Sequence, residues 1–560
     1  MTAAHGLTLP DVTVIVIVYD DAERLPRAIA SVRAQTHRDL DILVVDDHSA
    51  DATPQVAAEL AARDPRIRVL RLERNSGGCS VPRNRGLAEA RTPFVMFLDS
   101  DDELPPRAVE LLLAAHGGHA EEGYADFTMG AVERVRPGGG AVSRWMPALF
   151  RQRRTVRGIE DEPGLLFEPL STNKMYRREF LDRHGLRFPE GLHYEDQLFS
   201  AQAYTLARAL RVITEPVYRW YVDSTARPGA ATISNRRHLM ANVRDRVAIA
   251  RRIDAFLAEQ GVSLAVRRER DFKFLSHDLR LYAGDLPYRE TEWVAQFAAE
   301  VLPCVEPLSA DAFERLGRVD RAVLGLLREG RYEEARQAAR GLAHEVGPRE
   351  TATGPDGRVY WGDRVPDTVA ARADLDVTEW DLPGCPFTAA RFRHEITAVE
   401  PDRADGAVEL AIRTYDPGLR LPLAPLAARL HLAPAGRWFT VPLRMDPAGR
   451  GVFTGTVRLR PADAALPAYG FRGVRHPVLE LLRGSGPGRR GNTGVLLAPL
   501  DFAPFELPGA ARHRVLVEPE GRGAGRLQLR WRPDGAMGRL LTPVLRPDPV
   551  RRAARLLVRG

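Results

Sequence analysis

Residues 12–19, VTVIVIVY, form an unbroken, mostly β-branched run. A strand this uniformly apolar has to be buried on both faces, as in a parallel sheet covered by helices. The pattern returns at Asp41–Asp47 (DILVVDD), Ile67–Leu72 and Phe94–Leu98 (FVMFL). Helical spacing separates the runs, at Leu25, Ile29 and Val32, then at Pro54–Ala62, then at Arg83–Ala90. Asp20 with Glu23 reads as a capping box for the first helix. Repeated β-α units predict an α/β domain with an open, mostly parallel, Rossmann-like sheet.

Acids follow these runs: Asp20, then Asp46 and Asp47, then Asp99, Asp101 and Asp102. Open α/β sheets bind ligands beyond the carboxyl ends of their strands, so the acids are expected to converge there. Asp99-Ser100-Asp101 by itself reads as a solvated turn or as a cap for a helix near Pro105. Its place after a buried strand, beside the other acids, favours carboxylates holding a hard divalent cation that bridges a nucleotide diphosphate. Asp46 and Asp47 suit a ribose hydroxyl or a base N–H, or a cap on the next helix. Asn75-Ser76-Gly77-Gly78 offers close backbone approach to a ligand. Arg83 or Arg85 offers a fork for phosphate or carboxylate, the plainer reading being a surface arginine. Glu195-Asp196 lies at a loop-to-helix junction, where an acid serves either as a proton acceptor or as a helix cap. No G-x-G-x-x-G follows the first strand, which counts against a dinucleotide-binding oxidoreductase.

Beyond residue 123 the pattern is mixed, with helices expected at Tyr176–Leu181 and Gln197–Ala209. Val243, Val247, Ala250, Ile253 and Leu257 form one helical stripe ended by Gly261. Ala322–Leu327 and Glu333–Leu342 read as a helical hairpin around Gly330. Pro, Gly and Asp are frequent over 348–387, as in a linker. Period-2 strands follow: Val408, Leu410 and Ile412, then Phe453, Val457 and Leu459, then Leu527, Leu529 and Trp531. The expected organisation is a catalytic domain over 1–235, a helical linker domain over 236–347 and a β-sandwich region over 348–560. The last is read as antiparallel, with two immunoglobulin-like modules divided near 461–470.

With 44% hydrophobic residues the chain can bury cores, and its net charge of +6 suits anionic substrates. No basic block interleaved with aromatics points to nucleic acid. Cys79, Cys304 and Cys385 are too far apart for a disulfide framework or a zinc site. No signal-like or membrane-spanning run is apparent, and a soluble cytoplasmic setting is expected. Pro549–Gly560 reads as a terminal helix packed on the sandwich, or as a basic amphipathic helix at the inner face of the membrane.

The ordered segments VTVIVIVYDDAERLPRAIASVRAQTHRDLDILVVDDHSADAT, RNSGGCSVPRNRGLAEARTPFVMFLDSDD and NKMYRREFL…FPEGLHYEDQLF resemble the family-2 glycosyltransferases of the GT-A fold, over about residues 12–225. That resemblance implies inverting transfer from a nucleotide sugar, a UDP-sugar first among them, with Mn²⁺ or Mg²⁺. It implies a donor site lined by Val18, Tyr19, Asp46, Asp47, Asn75, Arg83, Asp99 and Ser100. It also implies Asp99 and Asp101 as metal ligands, and Asp196 as catalytic base with Glu195 beside it. Two departures touch loop geometry: Ile17-Val18-Tyr19-Asp20 replaces the common Pro-x-Tyr-Asn, and Pro82 replaces the usual Ala. Arg219-Trp220 lacks the Gln of processive members, so a non-processive enzyme is expected. The layout resembles the wall teichoic acid glycosyltransferases that add N-acetylglucosamine to poly(ribitol phosphate), which implies a glycopolymer acceptor and homo-oligomers built through the C-terminal sandwiches. The competing readings are a nucleotidyltransferase acting on sugar phosphates, and a carbohydrate-binding or assembly protein with a degenerate catalytic domain.

Overall fold

The computed structural model describes residues 10–117, 125–136, 142–222, 236–422, 426–433, 438–447, 449, 451–460, 473–483, 490–500, 502–508, 513–520 and 525–533. Two compact units divide the chain, one of residues 1–277 with 303–312, the other of 278–302 with 313–560.

In the first unit, strands β1 (Val12–Val18), β2 (Leu40–Asp46), β3 (Ile67–Arg71) and β4 (Phe94–Asp99) are parallel, in the order β3-β2-β1-β4. The sheet continues through β8 (Lys174–Arg177), β5 (Phe127–Val135), β9 (Leu210–Tyr221) and β7 (Arg154–Val156), while β6 (Ser143–Trp145) pairs with β5. Alternate residues feed two cores. Ile15, Leu43, Val45, Val95 and Phe97 enter one, and Val14, Val16, Ile42, Val44, Met96 and Leu98 the other. That is why these strands carry no polar face.

Helix α1 (Leu25–Arg33), α2 (Thr53–Arg63) and α4 (Ala108–Ala115) cover the second core, through Leu25, Ile29, Ala57, Val109 and Leu112. Helix α3 (Ser80–Glu89) covers the first. At Gly86 a Cβ would lie 2.4 Å from Ile15 Cγ2, so only glycine lets α3 approach β1 this closely. The capping box at Asp20 and Glu23 does not form. Helix α1 starts at Leu25 with no side-chain cap, and Asp20, at φ 45°, instead accepts from the Ala50 and Asp51 N–H groups. The helix expected over Tyr176–Leu181 starts later, as α5 (Arg178–Arg183), because Lys174–Arg177 is held as β8 between β4 and β5. Helices α6 (Glu195–Leu206), α7 (Met240–Glu259) and α8 (Leu264–Lys273) complete the unit. The stripe from Val243 to Leu257 is buried, and Gly261 takes φ 64° after α7.

In the second unit, helices Arg318–Arg328 and Tyr332–Ala339 form the expected hairpin, with Gly330 at φ 66°. Residues 348–387 are more than a linker. They hold the antiparallel pair β10 (Thr351–Thr353) and β11 (Val359–Trp361), and a helix over Val369–Leu375 whose Leu375 is fully buried.

The strands beyond are β12 (Arg393–Asp402), β13 (Ala407–Tyr415), β14 (Leu426–Ala433), β15 (Trp438–Met445) and β16 (Val452–Leu459). After them come β17 (Gly473–Arg483), β18 (Arg490–Leu497), β19 (Phe505–Pro508), β20 (His513–Pro519) and β21 (Leu527–Pro533). All pair antiparallel except β12 with β18, in the order β14-β15-β16-β13-β12-β18-β17-β21-β20-β19. A further β14/β17 pairing closes the first seven into a barrel-like ring. The inward residues of the period-2 runs share one core. Residues 461–470, where a module boundary is expected, lie outside the described residues, as do 549–560; strands on either side of 461–470 pair with each other.

Candidate active site

The carboxyl ends of β1, β2 and β4 lie side by side, in register from Val18↔Asp46 and Ile17↔Asp99. Val18 is buried and its carbonyl accepts from the Asp47 N–H at 2.9 Å, so it fixes the strand ends. Tyr19 is 50% exposed. Asp46 is fully buried: Oδ1 accepts from the Ser49 N–H at 3.0 Å, and Arg71 lies 3.4 Å from Oδ2. Asp47 accepts from the Ser76 N–H, the Ser76 hydroxyl and Asn75 Nδ2, and so binds the loop after β3 to the end of β2. Burial pushes the Asp47 carboxyl up. Gly77, at φ 79°, donates its N–H to Asn75 Oδ1 and turns the chain toward α3.

In the sequence, Arg83 or Arg85 offers a phosphate-facing fork. Here that fork is used otherwise. Arg83 is 4% exposed; Nη1 donates to Glu195 Oε1 at 2.6 Å and Nη2 to Asp99 Oδ1 at 2.8 Å. One guanidinium therefore ties the end of β4 to the start of α6. This also separates the roles of the two neighbouring acids. Glu195 is paired with Arg83, whereas none of the hydrogen bonds among the described residues ends on the Asp196 carboxylate.

Burial, reinforced by the charge of Glu195, pushes the Asp196 carboxyl up to about 7, against the opposing pull of Arg83, Arg246 and Lys273. A proton acceptor poised there is half deprotonated near neutral pH. Asp101 is likewise pushed up, to about 6, by burial and then by the like charge of Asp99. Arg24 sits 3.5 Å from Asp101 and also donates to Asp21 at 2.7 Å. Ser100 donates to Asp21 at 2.5 Å, so its hydroxyl secures the turn. Asp102 is buried and accepts from the Tyr218 hydroxyl and the Tyr221 N–H, which joins this turn to β9.

No group of three or more His, Cys, Asp or Glu side chains is arranged to hold a metal ion among the described residues. The Asp99–Asp101 pair nonetheless suits a hard cation. The like charge of Asp99, added to burial, makes an ionised Asp101 costly, and both side chains are about 30% exposed. Mg²⁺-type ions complete such a pair with waters and substrate phosphate oxygens.

Some site residues were not singled out in the sequence. Tyr194, the residue before α6, takes φ 67°. Its ring lies 3.5 Å beneath the Arg246 guanidinium, and its hydroxyl donates to Asn242 at 2.7 Å. Lys273 of α8 donates to Gln197 at 2.8 Å. Asn242 and Arg246 are spaced i, i+4 beside the apolar stripe of α7 and are both buried. Tyr194→Phe removes the hydroxyl that binds Asn242 from a strained turn. It is expected to lower stability by about 1 kcal/mol, with kcat reduced several-fold and nucleotide affinity unchanged, as read by urea unfolding, turnover and calorimetry.

Residues 13–185 match the family model described as Glycosyl transferase family 2. The poly(ribitol-phosphate) beta-N-acetylglucosaminyltransferase TarP of Staphylococcus aureus is 29% identical over 214 residues, 38% of this chain and 62% of that protein. The succinoglycan biosynthesis protein ExoO of Rhizobium meliloti is 33% identical over 214 residues, 37% of this chain and 59% of that protein. These matches span about three-fifths of the relatives' own length. The crystal structure of S. aureus TarS superposes with a TM-score of 0.50 at 17% identity, covering 94% of this chain and 86% of that one, a likeness of fold. Asp196 lies beyond the end of the family match. No helix among the described residues is long and apolar enough to cross a membrane.

Proposed function

We propose that this chain, whose residues 13–185 form a family-2 glycosyl transferase domain, moves a sugar from a nucleotide-diphosphate sugar to a hydroxyl of a cell-envelope glycopolymer. The observation that carries the reading is the Arg83 bridge. It holds Asp99, of the acidic pair, and Glu195, beside Asp196, on one guanidinium. A diphosphate-holding centre and a proton acceptor are thereby kept next to each other, as single displacement requires.

In this reading Tyr19 offers an exposed ring to the nucleobase, Asp47 and Asn75 border the nucleoside, and the fully buried Asp46 holds the turn behind them through the Ser49 N–H. The chemistry that Mn²⁺ or Mg²⁺ supplies when bound at Asp99 and Asp101 is compensation of charge on the departing diphosphate. Asp196 takes the proton of the acceptor hydroxyl. The oxygen of the acceptor hydroxyl bonds to the anomeric carbon, and the carbon–oxygen bond to diphosphate breaks with its electron pair on the leaving group. With Glu195 committed to Arg83, no second carboxylate is assigned as nucleophile, so one displacement inverts the centre. TarP, by name, acts on poly(ribitol phosphate) with N-acetylglucosamine, and UDP-N-acetylglucosamine with a ribitol-phosphate polymer is the pair to test first. A non-processive enzyme in the cytoplasm, with peripheral membrane contact and self-association through the strand-rich half, belongs to the same proposal.

Calorimetry with UDP tests the donor site. Binding is expected to strengthen at least tenfold with Mn²⁺ or Mg²⁺ in the wild type and to lose that gain in Asp101→Asn. Metal-independent binding in both would contradict the cation site. The base makes a separate prediction. Because Asp196 titrates near 7, its accepting form is lost as pH falls. The expected kcat/KM profile is flat above about pH 8 and drops about tenfold per unit below 6.

A further inference from the structure

A cavity of about 130 Å³ opens between Ser76–Gly78 and Gly191–His193, in the loop that leads to α6, with Asp245 of α7 on its wall. Its lining is rich in acceptors. The Ser80 hydroxyl spends its hydrogen on the Pro189 carbonyl at 2.7 Å, and Ser76 spends its own on Asp47 at 2.9 Å. Both oxygens keep lone pairs for a ligand. Asp245 accepts from the His193 N–H at 3.4 Å through Oδ2, which leaves Oδ1. No lysine or arginine lines the cavity, while a carboxylate does. A phosphate or carboxylate ligand would meet the like charge of Asp245 there, with the His193 ring the one lining side chain able to carry an opposing charge. Hydroxyl groups, which bring hydrogens, fit the acceptors. Val81, Leu192 and the bare glycine backbone supply surface for C–H groups.

We propose that this cavity binds a polyhydroxyl group, a sugar ring or an open polyol, through Asp245, and so sets substrate specificity. The inference rests on the glycosyl-transfer reading above. Its position fits: Ser76 is bound to Asp47 on the nucleotide side, and His193 lies three residues before Asp196 in the chain. The hydroxyls come either from the donor sugar or from the acceptor.

Two variants of the full chain decide the matter. Asp245→Asn removes the charged acceptor. Gly78→Leu fills the space, because a Cβ at Gly78 meets only the His193 ring, at 3.8 Å. UDP-N-acetylglucosamine hydrolysis without acceptor reads the donor KM, and transfer to poly(ribitol phosphate) reads the acceptor KM. Each variant is expected to raise one of the two KM values about tenfold. A rise in hydrolysis assigns the cavity to the donor sugar, and a rise confined to transfer assigns it to the acceptor polyol. KM values within twofold of wild type in both variants would overturn the inference while leaving glycosyl transfer intact. Loss of UDP affinity in Asp245→Asn would also overturn it, since Asp245 would then be structural. A wild-type chain that turns over no nucleotide sugar would remove the glycosyl-transfer premise itself.

Discussion

Asp196→Asn is expected to reduce sugar transfer by about 10²–10⁴-fold, the usual contribution of a positioned general base, while nucleotide affinity stays within about twofold of wild type. The substitution is isosteric, so packing around α6 is retained. What it removes is the one acid of the Glu195-Asp196 pair that Arg83 leaves unpaired. Burial and the Glu195 charge already hold this carboxyl near 7, and the asparagine amide cannot accept the acceptor's proton at any pH. The acid limb of the pH profile should vanish along with the activity. Nucleotide release by stopped assay and UDP calorimetry on the same sample separate the two effects. A variant with full transfer activity would move the base elsewhere.

Arg83→Met is expected to be the most damaging single change to the site. It leaves the two carboxylates, Asp99 and Glu195, without the guanidinium that pairs both, in a place where Arg83 itself is 4% exposed. Removing one partner of a buried ion pair typically costs about 3–5 kcal/mol. The expected results are a fall of that size in urea-derived stability, and loss of transfer beyond that of the fold, because the acidic turn and α6 lose their common tie. Arg83→Lys keeps the charge but reaches only one carboxylate well, and should fall between. A stable, active Arg83→Met would contradict the bridging role.

The parallel sheet was legible because β1, β2 and β4 are buried on both faces, and a strand with no polar side has few other places to go. Asp47, Asp99 and Asp196 stand out in the sequence by their place after strands and before a helix, and their roles come from the family resemblance. The use of Arg83 was not legible. Its partners lie 16 and 112 residues away, and only tertiary packing decides whether a buried guanidinium meets carboxylates or phosphate. The reach of α7 into the site was missed for a related reason: the apolar stripe is periodic, whereas Asn242 and Arg246 acquire meaning only against Tyr194. In the strand-rich half, alternation placed Val408, Leu410 and Ile412 inward. It could not show that β14 pairs with β17, some fifty residues on, to close a ring, because strand pairing partners are set by sheet geometry rather than by local pattern.

Glycosyl transfer is tested most directly by nucleoside diphosphate release from the 560-residue chain across a panel of nucleotide sugars with Mn²⁺ or Mg²⁺, with and without a ribitol-phosphate polymer, alongside Asp196→Asn. Release is expected from at least one donor, stimulated by acceptor and lost in the variant. Release from no donor under any condition, or equal release by the variant, would contradict it.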